Sequence, residues 1–174
     1  MTTIRALTVQ QPWAWAIVNG DKQTENRTQA WAYRGPLLIH AGTRWSGRGG
    51  NSPLIREAFT VTNHGYKGGN VPEWLFNAAA AESIPGTAMG AIIGIVDLVA
   101  AHPDAGCCRP WGESSYTEHG GHERRTITHL VLENARALPE PIACRGALGL
   151  WKPPPDIVEQ LHHLDLLPAP VETP

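Results

Sequence analysis

The 18 glycines and 15 prolines spread through this 174-residue chain leave few stretches in which a long helix could grow. In a helix interior glycine costs about 1 kcal/mol relative to alanine and proline about 3 kcal/mol. The punctuation therefore excludes an all-α bundle and points to short elements joined by turns. Between the breaks, residues 4–9, 35–41, 91–99, 126–132 and 147–151 are rich in Val, Ile and Leu and read as strands. With the polar stretch 22–27 they make about six strands, enough to close a small barrel. Helices fit between them. Pro12 and Gly20 bracket a two-turn helix with Trp13 and Ile17 on one side, and helical patterns follow at 52–60 and 72–82. Asp156 can cap a last helix that carries Ile157, Val158, Leu161 and Leu164 on its apolar face. The expected class is mixed α/β (α+β), a small barrel with peripheral helices.

The length suits one domain, expected over residues 1–167, with a disordered tail at 168–174 that has nothing to bury. At 42% hydrophobic and 17% charged residues, disorder of the whole chain is excluded. No apolar run is long enough for a membrane span and the first residues lack the apolar centre of a signal peptide, so no membrane partner and a cytoplasmic location are expected. A net charge of −2 gives no globally basic surface for nucleic acid. Locally the balance differs, because residues 21–48 carry Lys22, Arg27, Arg34, Arg44 and Arg48 against Asp21 and Glu25.

The same segment holds the densest set of informative residues: Gln11, Pro12, Trp13, Ala14, Ile17, Gly20, Lys22, Glu25, Asn26 and Arg27, then residues 33–42, Tyr-Arg-Gly-Pro-Leu-Leu-Ile-His-Ala-Gly. In this ordered pattern the sequence resembles the ASCH domain family of the PUA-like superfamily. Residues 134–141 and 145–151 look like the closing strands of its bacterial members, so the resemblance covers most of residues 4–152. It implies a PUA-like β-barrel wrapped by helices, with a cleft lined by the helix end, the Lys22 turn and the strand through Glu25 and Arg27. The implied function is binding of RNA, most simply single-stranded RNA, or of a modified nucleotide.

Elementary chemistry supports part of this. A lysine, a carboxylate and an arginine within six residues, among tryptophans, are costly to bury unless they pair with one another or meet a ligand. Either the three close a turn as ion pairs, or Glu25 accepts from a base's exocyclic amine while Lys22 and Arg27 hold phosphate or carbonyl oxygens. A cleft lysine of that kind should be removable with loss of binding and little loss of stability. Asn26 and Arg34 complete the polar set. Trp15, Trp31, Tyr33 and Trp45 are the expected exposed stacking platforms, whereas Trp13, Trp74 and Trp151 fall on apolar stripes and are expected in the core.

An alternative is a hydrolase of a nucleoside or of RNA, with Lys22, Glu25 and His40 as catalytic groups. Relatives that deacetylate acetylcytidine carry a threonine three residues after the lysine, and a ribonuclease activity has also been attached to the family. Here that position is Glu25, and Thr24 should face the other side of the strand. The third acidic group of such a site would come from Glu113, Glu118 or Glu123.

The three cysteines do not make a disulfide framework. Adjacent Cys107 and Cys108, taken with His119 and His122, lack structural-zinc spacing, so neither metal nor cofactor is expected. Residues 102–125 read as one long polar loop.

Overall fold

The computed structural model describes residues 4–62, 86–117 and 124–167. The helix expected at 72–82, Glu118, His119, His122, Glu123 and the tail at 168–174 lie outside the described residues.

β1 (Arg5–Gln11) leads into α1 (Trp13–Asn19), then β2 (Thr24–Arg27) and β3 (Gly35–Trp45). β1 and β3 lie side by side in parallel, with Arg5 opposite Leu37 and Val9 opposite Ala41. A parallel pair needs a long crossover, which α1 and β2 supply. Two helices follow, α2 (Gly47–Gly50) and α3 (Pro53–Thr62). The remaining elements are β4 (Ala91–Pro103), β5 (Ser115–Thr117), β6 (Arg124–Thr126), β7 (Thr128–Ala143), β8 (Leu150–Trp151) and α4 (Pro155–His163). Six strands form one sheet in the order β2-β7-β4-β3-β1-β8, curled into a half-barrel, while β5 and β6 pair separately. The PUA-like barrel with peripheral helices is thus the observed architecture.

The alternation of β3 explains how both faces of the sheet are covered. Leu37, Ile39 and Ala41 enter a core under α1 with Leu7, Ile17, Val96 and Leu130. Leu38 points the other way, into a core shared with Ile92, Ile95, Leu138 and the Ile157 and Leu161 side chains of α4. α1 approaches β4 so closely that a Cβ at Gly94 would lie 2.6 Å from a Val18 methyl and 2.8 Å from the Arg136 carbonyl.

Two strands outrun their sequence signals. β7 continues to Ala143 through the exposed residues Glu133, Asn134, Ala135 and Arg136, because β4 runs beside it from Ala91 to Pro103 and pairs with residues on either side of the bulge at Asn134 and Ala135. Three register shifts along this pair, between Ile92 and Gly94, Ile95 and Asp97, and Leu98 and Ala100, are the irregularities that bend the sheet. β4 likewise reaches Pro103, so the expected loop at 102–125 is a shorter connection followed by the β5 and β6 strands. No helix among the described residues is long and apolar enough to cross a membrane.

Candidate functional site

Lys22 follows α1 directly, where Gly20 closes the helix and the Lys22 backbone N–H bonds to the Ala16 carbonyl. Its side chain is only 3% exposed. Nζ donates to the Thr24 carbonyl and to Glu25 Oε2 at 2.9 Å. The other carboxylate oxygen, Oε1, lies 3.0 Å from Arg27 Nη2, which also donates to the Thr8 carbonyl at 2.8 Å. Burial alone would raise the Glu25 carboxyl, but the charges of Lys22 and Arg27 and their hydrogen bonds outweigh it and hold the group below its ordinary value. Arg27 sits on one edge strand and Thr8 on β1, near the opposite edge. The guanidinium therefore bridges the open side of the half-barrel. The ion pairs exist, and Lys22 and Glu25 also face a cleft.

That cleft, of about 420 Å³, is lined on its floor by Lys22, Glu25 and Asn26 and on its walls by Trp13 and Trp111, with Arg48 and Glu113 at the rim. The Lys22 ammonium stands 5.9 Å from the ring centres of both Trp13 and Trp111. Arg48 lies 5.5 Å from the Trp13 ring and grips both oxygens of Glu113, at 2.8 and 2.9 Å. Asn26 ties down the far wall: its Nδ2 donates to the Trp111 carbonyl at 2.9 Å and its Oδ1 accepts from the Glu113 N–H at 3.0 Å.

Of the two tryptophans on α1, Trp13 packs against the core as expected and also lines the cleft, whereas Trp15 departs from its expected place. Trp15 is buried at 3% exposure, packed on Phe59 and Ile55 of α3, and is no platform; Trp13 is the one that lines the cleft. Residues two apart on a helix point about 200° apart, and the half-buried Trp13 reaches the cleft while still packing against the Trp15–Phe59 cluster. The lysine expectation is also corrected, because a side chain this buried and paired supports the fold as well as any ligand.

Other candidates lie outside the cleft lining. Arg34 is exposed and bonds to the carbonyls of Trp31, Tyr33 and Ala101. Tyr33 donates to the Pro36 carbonyl, and burial pushes its hydroxyl up. Trp31 is half-buried against the core, and Trp45 is half-buried at the end of β3. His40 is buried, with Nε2 3.0 Å from the Cys144 carbonyl and its ring edge-on to Trp151. It sits on the β3–β1 side of the sheet, apart from Lys22 and Glu25. Trp151 is half-buried and bonds Thr8 Oγ1. Thr24 faces away from Glu25, toward the Cys108 thiol, as the strand alternation requires.

Trp111, Arg48 and the particular role of Glu113 escape the sequence. The available signal was an indole between Pro110 and Gly112 in a polar stretch, where no apolar stripe accounts for it.

A model of the ASCH domain matches residues 7–118. Two solved structures share the fold, both mutants of the ASCH protein from Zymomonas mobilis. A tyrosine-to-phenylalanine form is 14% identical with a TM-score of 0.51, covering 93% of this chain and 98% of its own. A serine-to-alanine form gives 14% and 0.51, covering 94% and 96%. No curated protein matches.

Proposed function

The chain belongs to the ASCH domain family, whose fold is generally RNA-binding-like, and from that premise we propose that the cleft between Trp13 and Trp111 binds one nucleotide of single-stranded RNA or a modified nucleotide. The observation that carries this reading is the buried Lys22–Glu25 pair between two indole walls. Among the described residues, two of the three Lys22 N–H donors are engaged, and one is left for a base carbonyl. Glu25 keeps lone pairs for an exocyclic amine beside it. A donor and an acceptor at the floor of a slot with flat apolar walls complement the edge and faces of a base. The Arg48–Glu113 bridge at the rim is exposed, and such pairs are worth at most about 1 kcal/mol, so a phosphate can take Arg48 from Glu113 at small cost. Arg27 has no part in this contact, since Glu25 and the Thr8 carbonyl hold it.

The test is fluorescence titration with single-stranded RNA, cytidine and acetylcytidine, with products followed by chromatography. Trp111→Ala should weaken binding by about 1–3 kcal/mol, the worth of one base stacked on an aromatic ring, with the fold intact. Unchanged affinity in Trp111→Ala removes this cleft as the binding site. Release of acetate or cleavage of RNA by the wild type, lost in Glu25→Gln, replaces the binding reading with a hydrolase.

A further inference from the structure

We propose that His102, Cys107, Cys108 and His129 form a structural zinc site that fixes the wall of the cleft. The register of the sheet assembles half of it. His129 on β7 pairs with Asn26 on one side and with His102 of β4 on the other, so the three side chains form a row across one face. The two imidazoles stand edge to face, 5.5 Å apart at 78°.

The connection after β4 folds back over this row and delivers the two thiols. One ligand atom from each of the four residues then lies within 4.8 Å of all the others. Cys108 Sγ is 3.6 Å from His102 Nε2, and Cys107 Sγ is 3.9 Å from Nδ1 of each histidine. Zinc bonds of about 2.3 Å to sulfur and 2.0–2.1 Å to nitrogen at tetrahedral angles put sulfur and nitrogen about 3.5 Å apart, so the Cys108–His102 and Cys107–His129 separations are within a few tenths of an ångström of a bound pair.

Hydrogen bonding fixes which nitrogens face inward. His102 Nδ1 lies 2.9 Å from the Pro103 carbonyl, and His129 Nε2 lies 2.9 Å from the Glu113 carbonyl with Asp104 Oδ1 at 3.6 Å. A carbonyl only accepts, so these nitrogens carry the hydrogens. His102 Nε2 keeps its lone pair toward Cys108 and His129 Nδ1 toward Cys107, the orientation in which a ligating histidine is held by a partner outside the metal shell.

Adjacent cysteines ordinarily point apart. Here Cys108 has φ +62°, a left-handed backbone rarely adopted by non-glycine residues, and this turns both thiols to one side. Gly112 completes the wrap. A Cβ there would sit 2.8 Å from His129 Cε1 and 2.9 Å from Cys108 Cβ. Two thiolates and two imidazoles neutralise a divalent ion and close its four positions, so the site is structural; sulfur ligands select zinc over magnesium or calcium. On binding, the two thiol protons pass to solvent. The partners differ from the His119 and His122 weighed in the sequence, because strand register, not chain proximity, supplies the histidines.

Cobalt(II) titration of the reduced, chelator-treated full chain, followed by zinc competition and metal analysis, tests the proposal independently of nucleotide binding. Expected are one metal per chain, thiolate-to-cobalt charge transfer with intense tetrahedral ligand-field bands, and their loss on adding zinc. Cys107→Ser, Cys108→Ser and the half-exposed His102→Gln should each weaken binding by more than the about 10–100-fold that loss of an outer partner costs, while Cys144→Ser keeps the wild-type spectrum. Circular dichroism checks that each variant is folded. A weak octahedral spectrum shared by wild type and the Cys107→Ser, Cys108→Ser double variant overturns the site. So does a chain that, before reduction, is lighter by two thiol hydrogens, which would mean a Cys107–Cys108 disulfide in place of the metal.

Discussion

The two faces of β2 solve the problem of buried polar groups in opposite ways. Glu25 and Arg27 turn to one face, where Lys22 and the Thr8 carbonyl pair with them within the protein itself. Thr24 and Asn26 turn to the other, beside His129, His102 and the two cysteines. On that face Asn26 and the backbone carbonyls are partnered, but the inward ring nitrogens and thiols converge on a common point. A closed set of ion pairs supports the fold, whereas a converging set of soft donors gains its energy from an ion. Trp111 belongs to both, since its carbonyl is held from the second face and its ring stands over Lys22 of the first.

The largest effect should come from opening the closed face. Lys22→Met removes one partner of a buried pair and should cost about 3–5 kcal/mol in denaturant unfolding, whether or not zinc is present. If Lys22→Met unfolds like the wild type, Glu25 is satisfied without it and the contrast between the faces fails.

A smaller effect is expected from chelation. Metal at 100 times its Kd contributes about 2.7 kcal/mol, so a chelator should lower Tm by that worth, and hydrogen exchange should quicken at 104–113 and leave Lys22 and Glu25 unaffected. Equal loss of protection on both faces would show that they form one cooperative unit.

The smallest effect is the response to acid. Glu25 has a folded pKa below its ordinary value because, despite burial, Lys22 and Arg27 stabilise the carboxylate, so its stabilisation is complete above the ordinary value and is lost as pH falls through the folded one. Glu25→Gln should therefore flatten the acid limb of the stability profile by up to one bound proton. An unchanged limb would assign acid sensitivity to other carboxylates.

Much of the fold was legible because short continuous apolar runs and the proline and glycine breaks are local signals, as at Leu37, Leu38 and Ile39. The polar half of β7 was not, since Glu133 and Arg136 join a strand only because Asp97 and Ile95 of β4 pair with them. In the site, Lys22, Glu25 and Asn26 could be found from six contiguous residues, whereas Trp111 and Arg48 reach the same cleft from distant parts of the chain.

The sequence by itself determined the barrel class, the family pattern and the charged set around Glu25, because each depends on neighbours in the chain. Tertiary structure decided which indole of α1 faces the cleft, that Arg27 spans the open side of the sheet, and that Cys107 and Cys108 meet His102 and His129. Those outcomes depend on which helix covers which face and on the register between strands. A one-residue slip in that register would turn every side chain of β7 to the other face and take His129 away from the thiols.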